Sequence, residues 1–237
     1  MIQNKVLAVV AHPDDEVLGC GGTLARHAKD GADVNVLILA DGVGSRFFND
    51  NTMASKKEVT ARENMTLRAA ELMGIKKTIF LRLPDNKMDS IPLLDIIREV
   101  EDHIKQFCPN IIYTHHSGDV NIDHRLTHEA VITVCRPQPG FNVSTILCFE
   151  SPSSTEWQPP KSNTPFAPDW FVDISGELDI KRKALKEYSS EVRQWPHTRS
   201  EEAVVSLARW RGASVGVAAA EAFVLARHIE KVRLNNL

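Results

Sequence analysis

The run "VVAHPDDEVLGCGG" (9–22) places His12, Pro13, Asp14, Asp15 and Glu16 directly after an apolar stretch. Two adjacent carboxylates repel each other and resist burial. A divalent cation resolves that conflict, because it neutralises carboxylates and stabilises their ionised form. His12 and Asp15 are three residues apart, so in a turn or a nascent helix both side chains point the same way. Asp14 projects differently, yet stays close to whatever that pair holds. A second polar cluster, "THHSGDVNIDHRLTH" (114–128), offers His115, His116, Asp119, Asp123, His124 and His128. We assign His12, Asp15 and His124 as a three-ligand set suited to zinc, with coordination left open for water. Such a set also accommodates another divalent metal, such as iron(II). Asp14, adjacent to a ligand but not one itself, is placed to take a proton from water. A cation, a water and a carboxylate base make a hydrolytic device.

Those residues need a scaffold that brings them together. Short apolar runs alternate with helical patterns along the chain. Strands are expected at 5–11, 33–41, 77–84, 109–116 and 144–150, and "DWFVDIS" (169–175) reads as an edge strand. Helices are expected after Gly21, over roughly 55–74, 90–107 and 123–136, and through most of the chain from about residue 176. Strands separated by helices imply right-handed crossovers and a mostly parallel, doubly wound α/β sheet with helices on both faces. Such sheets bind ligands beyond the carboxyl ends of their strands, where strand order reverses. Both polar clusters follow strands that would flank that crevice. The glycines of "GCGGTL" (19–24) lack the spacing and position of a dinucleotide fingerprint and read as a close-packing surface beneath the metal loop.

Composition bounds the alternatives. The 237 residues fit a single α/β domain spanning 1–237, its helical C-terminal part beginning near 176. A net charge of −3 provides no pull towards nucleic acid or anionic lipid. No apolar run has the length of a membrane span. Cys20, Cys108, Cys135 and Cys148 are widely spaced, which favours free thiols in a cytoplasmic protein over a disulfide framework. The Ala- and Val-rich stretch Val204–Ala226, taken as helical, offers a surface for a homo-oligomer.

"AHPDDE" (11–16) followed by "NIDH" (121–124) resembles the LmbE-like, or PIG-L-like, deacetylases, and the likeness extends through "RENMTLRAAELMGI", "ESPSSTEW" and "AEAF". The resemblance implies a Rossmann-like fold and a zinc-dependent hydrolase that removes acetyl groups from N-acetylglucosamine-type sugars, free or on nucleotide, lipid, thiol-precursor or antibiotic carriers. It implies His12, Asp15 and His124 as metal ligands and Asp14 as general base. One position departs. Where the family often has histidine, this chain has Asn121, whose amide can donate to an oxyanion but cannot shuttle a proton. The acid role then falls to His116, His115 or His197, while Asp123 orients a histidine. Arg46, Glu150 and His197 are expected to contact substrate, and Trp157 to offer an aromatic face. Arg62 and Glu63 read as pairs on a helix surface. Two other functions fit the same residues: a non-haem iron oxygenase using the same triad, and a sugar-binding protein that keeps the metal without the chemistry.

Overall fold

The structure is a computed structural model, and it describes residues 3–46, 53–159 and 164–230. The first apolar run becomes β1 (Lys5–Val10), buried at every position after Lys5. Strands covered on both faces read as continuous apolar runs rather than alternating ones. Four more follow in the same direction: β2 (Asp33–Ala40), β3 (Lys77–Leu83), β4 (Ile111–His115) and β5 (Thr145–Phe149). The crossovers are α1 (Asp15–Lys29), α2 (Met53–Met73), α3 (Leu93–Phe107) and α4 (Ile122–Val134). The remaining elements are β6 (Trp170–Asp173), α5 (Leu178–Glu187), α6 (Glu201–Ala213) and β7 (Ala220–His228).

The seven strands are ordered β3-β2-β1-β4-β5-β7-β6. β1 lies between β2 and β4, so the chain winds outwards in both directions from it. The loops after β1 and β4 therefore open side by side at the carboxyl edge. Leu7 and Val9 join Ile96, Val100, Ile104, Ala130 and Val131 under α3 and α4. Val6, Ala8 and Val10 turn the other way, towards Leu24 of α1. A third cluster joins α1, α2 and α5 through Val17, Leu18, Ala69, Met73, Leu185 and Tyr188.

The C-terminal part corrects one expectation. α5 and α6 are helical, but Ala220–His228 is a strand, antiparallel to β5 and inserted between β5 and β6. The stretch Val204–Ala226 is thus not a continuous helix, and its last seven residues, Ala220–Ala226, lie inside the sheet. α1 is also irregular. Cys20 leaves helical geometry at φ −146° and ψ 17°, and beside it Gly19 lies so close to Phe149 that a Cβ there would stand 2.2 Å from the ring.

Candidate metal centre

Ala11, the residue after β1, donates its N–H to His115 Nε2 at 2.9 Å. The chain then turns sharply. His12 N–H donates to Asp15 Oδ2 at 2.9 Å, and Asp14 takes the left-handed φ of 110° as it caps α1. A non-glycine residue in that region is strained, and such strain collects at functional sites. Gly42, at φ 71°, must be glycine, since a Cβ there would stand 2.6 Å from Pro13 Cδ.

Three donor atoms converge from the two loops. His12 Nδ1 lies 3.3 Å from Asp15 Oδ2 and 3.3 Å from His124 Nε2. His124 Nε2 lies 3.3 Å from Asp15 Oδ2. Zinc–ligand bonds of about 2.0–2.1 Å in a tetrahedral shell place neighbouring ligand atoms about 3.3–3.4 Å apart. The triangle is therefore one face of such a tetrahedron, and these residues could hold a metal ion.

Each histidine is backed by a carboxylate on its far side. His12 Nε2 stands 3.0 Å from Asp123 Oδ2 and 3.2 Å from Asp85 Oδ1. Asp123 also accepts the N–H groups of Asn86 at 2.7 Å and Met88 at 3.1 Å. His124 Nδ1 lies 3.2 Å from Asp119 Oδ2, and Asp119 is held by Thr155 Oγ1 at 2.8 Å and by Ser154 Oγ. Asp15 Oδ1 accepts from Ser151 Oγ at 3.0 Å. Asp15, Asp119, Asp123 and His115 are all 0% exposed. Burial works against a charged His12, but bonding to Asp123 and Asp15 outweighs it and takes the ring up to about 10. Burial likewise opposes a charged His124, yet Asp15 and Asp119 take it up to about 9. The enclosed carboxylates thus demand positive charge at this point.

The candidate base has its own surroundings. Asp14 Oδ2 stands 3.3 Å from Arg199 Nη1 and 4.0 Å from Arg62 Nη1. Its N–H donates to Glu16 Oε2 at 3.0 Å, while Glu16 Oε1 accepts from Tyr188. Burial pushes Asp14 up to about 6, against the lowering pull of Arg199. Glu191 ties the arginines together, accepting from Arg62 Nη2 at 2.5 Å and Arg46 Nη2 at 2.7 Å, with Arg199 at 3.5 Å. Arg62 is thus buried beside the site instead of lying in a surface pair; Glu63 pairs with Arg82 on the outside.

The other expected residues divide. Arg46 reaches the rim through Glu191 and is 41% exposed. His197 meets Trp157 edge-to-face at 5.9 Å, and its Nδ1 accepts the N–H of Arg199, so these two come together above the arginines. Glu150 is taken up by Arg211 in two bonds of 2.7 Å. His116 turns away from the triangle, with Nε2 at Thr164 O and its ring edge on Phe166. Its neighbour His115 stacks on His124 at 3.9 Å, and burial holds it well below the usual imidazole range. Asn121 caps α4: its Oδ1 accepts from Asp123 N at 2.8 Å and its Nδ2 donates to Asn86 Oδ1 at 3.0 Å. Sequence reasoning missed Asp85, Glu191 and Arg199, and gave Asp119 no role. The signals were polar breaks at "PDN" after the third strand and "SSEVRQWPHTRS" between two helices.

Residues 7–135, more than half the chain, match the family described as PIG-L, GlcNAc-PI de-N-acetylase. The chain belongs to the PIG-L family. One relative, an uncharacterized deacetylase, YaiS, of Escherichia coli (strain K12), is 31% identical over 78% of this chain and 90% of its own length. The diacetylchitobiose deacetylase of Thermococcus kodakarensis is 29% identical over 79% of this chain and 70% of its own. A 4-oxalmesaconate hydratase of Pseudomonas putida is 27% identical over 97% of this chain and 90% of its own. Among solved structures, the N,N'-diacetylchitobiose deacetylase from Pyrococcus horikoshii superposes with a TM-score of 0.76 at 21% identity, covering 95% of this chain and 85% of that one. That likeness shows the fold.

Proposed function

We propose that this chain is a zinc-dependent N-deacetylase that hydrolyses the acetamide of an N-acetylglucosamine-type sugar, alone or on a nucleotide, lipid or antibiotic carrier. The observation that carries it is the triangle of His12, Asp15 and His124 atoms at 3.3 Å spacing, with Asp14 next in the chain. Two imidazoles and one carboxylate suit zinc and leave a side open; iron(II) would occupy the same set. When bound, the cation lowers the pKa of water towards neutrality and polarises an amide carbonyl. Asp14 takes the proton as water attacks that carbonyl. With His115 bonded to Ala11 and His116 to Thr164, the reading also gives Asp14 the return of that proton to the departing nitrogen. Asp123 and Asp119 keep His12 and His124 in one orientation and tautomer. Arg199 and Arg62 aim the Asp14 carboxylate. Trp157, 56% exposed, and His197 offer the pyranose an aromatic face at the rim. Free cysteines support a cytoplasmic setting; no helix among the described residues is long and apolar enough to cross a membrane.

The test is acetate release from N-acetylglucosamine and N,N'-diacetylchitobiose by zinc-loaded protein. Asp14→Asn is expected to cut kcat about 10²–10⁴-fold with zinc content unchanged. Loss of zinc together with activity would make Asp14 a ligand rather than a base. Hydration of an unsaturated tricarboxylate is the second reading, favoured by the near full-length match to the hydratase and by the Arg46, Arg62 and Arg199 cluster. Loss of the absorbance of such a compound, without acetate from any sugar, would establish it instead. Neither activity, in protein that still binds both zinc and sugar, would leave a non-catalytic binding protein.

A further inference from the structure

The turn that carries Asp14, Asp15 and Glu16 is the start of α1, and α1 breaks one turn later at Cys20. A break in a helix orphans carbonyls on one side and amides on the other. Residues 15–25 are all buried, so these groups need partners within the protein. Two distant residues supply them. Glu221 of β7 accepts from Gly22 N at 2.9 Å through Oε1 and from Thr23 N at 2.7 Å through Oε2. Lys181 of α5 donates to Leu18 O at 2.9 Å and to Glu221 Oε1 at 2.5 Å. One buried ion pair, with both side chains 4% exposed, therefore caps the carboxyl end of the first helical segment and the amino end of the second.

Stability alone is a poor account of such a pair. Burying two charges costs desolvation, and well-packed apolar residues often replace a buried ion pair without loss. No apolar pair, however, could satisfy Leu18 O, Gly22 N and Thr23 N together. What the pair specifies is direction. The second segment is seated on the sheet through Leu24, while the short first segment packs through Val17 and Leu18 against α2 and α5, so the break lets the two follow different directions. Its packing is close on both sides of the break, since a Cβ on Gly19 would meet Phe149 at 2.2 Å and one on Gly22 would meet Ile174 at 2.7 Å.

We propose that Lys181 and Glu221 are positioning residues for the catalytic turn. By capping both sides of the break they fix the direction of the first segment of α1, and so hold Asp15 at coordinating distance from His12 and His124. The inference rests on reading those three residues as the metal-holding set, and not on which reaction follows.

Zinc affinity, measured by chelator competition, and the visible absorption of the cobalt(II)-loaded protein read this directly. Glu221→Gln keeps the size of the side chain but presents an amide donor where one amide acceptor is needed. It is expected to weaken zinc binding by about tenfold, the lower end of what supporting residues around a metal contribute. The cobalt spectrum should shift and kcat fall with KM unchanged, and Glu221→Asp should recover part of each. Folded Glu221→Gln with wild-type zinc affinity and an unaltered cobalt spectrum overturns the proposal. Should that variant fail to fold, hydrogen exchange in the wild-type protein decides. Zinc loading is expected to slow exchange at the Gly22 and Thr23 amides, and equal rates with and without zinc overturn it. Weakened zinc binding in a protein that deacetylates nothing leaves this inference standing and removes the deacetylase reading.

Discussion

The two histidines of the triangle are built alike. Each presents one ring nitrogen to the shared point and gives the other to a carboxylate, Asp123 behind His12 and Asp119 behind His124. Asp119→Ala removes the partner of His124 Nδ1 and leaves the ring free to turn. Zinc affinity is expected to fall about 10–100-fold, read by chelator competition. Asn121→Ala should behave differently, because its amide caps α4. We expect a loss of about 1 kcal/mol in urea unfolding, with kcat and KM retained; a collapse of kcat would return Asn121 to an oxyanion role. At this scale the triangle was legible because His12 and Asp15 share one turn and His124 opens the helix after the flanking strand. Asp119 was visible as a residue but not in its role, since Ser154 and Thr155, which hold it, come from the loop after β5. Arg199 and Glu191 were visible only as a polar break between two helices, their roles hidden for the same reason. Nothing near them in sequence points to Asp14.

Among the elements, α1 shows how tightly the site is mounted. Ala is favoured over Gly inside a helix by about 1 kcal/mol, yet a methyl on Gly19 would drive into the Phe149 ring, which itself packs edge-on to His115 at 4.7 Å. Overpacking of that kind costs about 1–3 kcal/mol, so Gly19→Ala is expected to lower stability in thermal and urea melts despite the gain in helix propensity. A more stable Gly19→Ala protein would mean that Phe149 yields freely. The five parallel strands were readable as β-branched runs bounded by turns. β7 was not, because "AEAFVLARH" follows an alanine- and valine-rich stretch whose spacing suits a helix equally well. Its antiparallel place between β5 and β6 is decided by pairing partners that no local pattern displays.

For the molecule as a whole, the centre concentrates negative charge in a chain whose net charge is only −3. Asp14, Asp15, Asp85, Asp119 and Asp123 are all buried around it. A cation that binds the folded state at a hundredfold excess over Kd adds about 2.7 kcal/mol of stability, or roughly 5–11 °C of Tm for a protein of this size. Adding a chelator should lower Tm by that order in a calorimetric scan, and a Tm indifferent to chelation would argue against a resident ion. The place of β7 also orders events in time. The residues that build the centre, from His12 to Arg199, precede Glu221 in the chain, and β6 has β7 as its sheet partner. During synthesis, which delivers the amino-terminal half first, both α1 segments are made before the strand that carries their shared cap. If Glu221 fixes the direction of α1 as proposed, the ion-holding turn acquires its final mounting only after every residue that faces the ion has already been made.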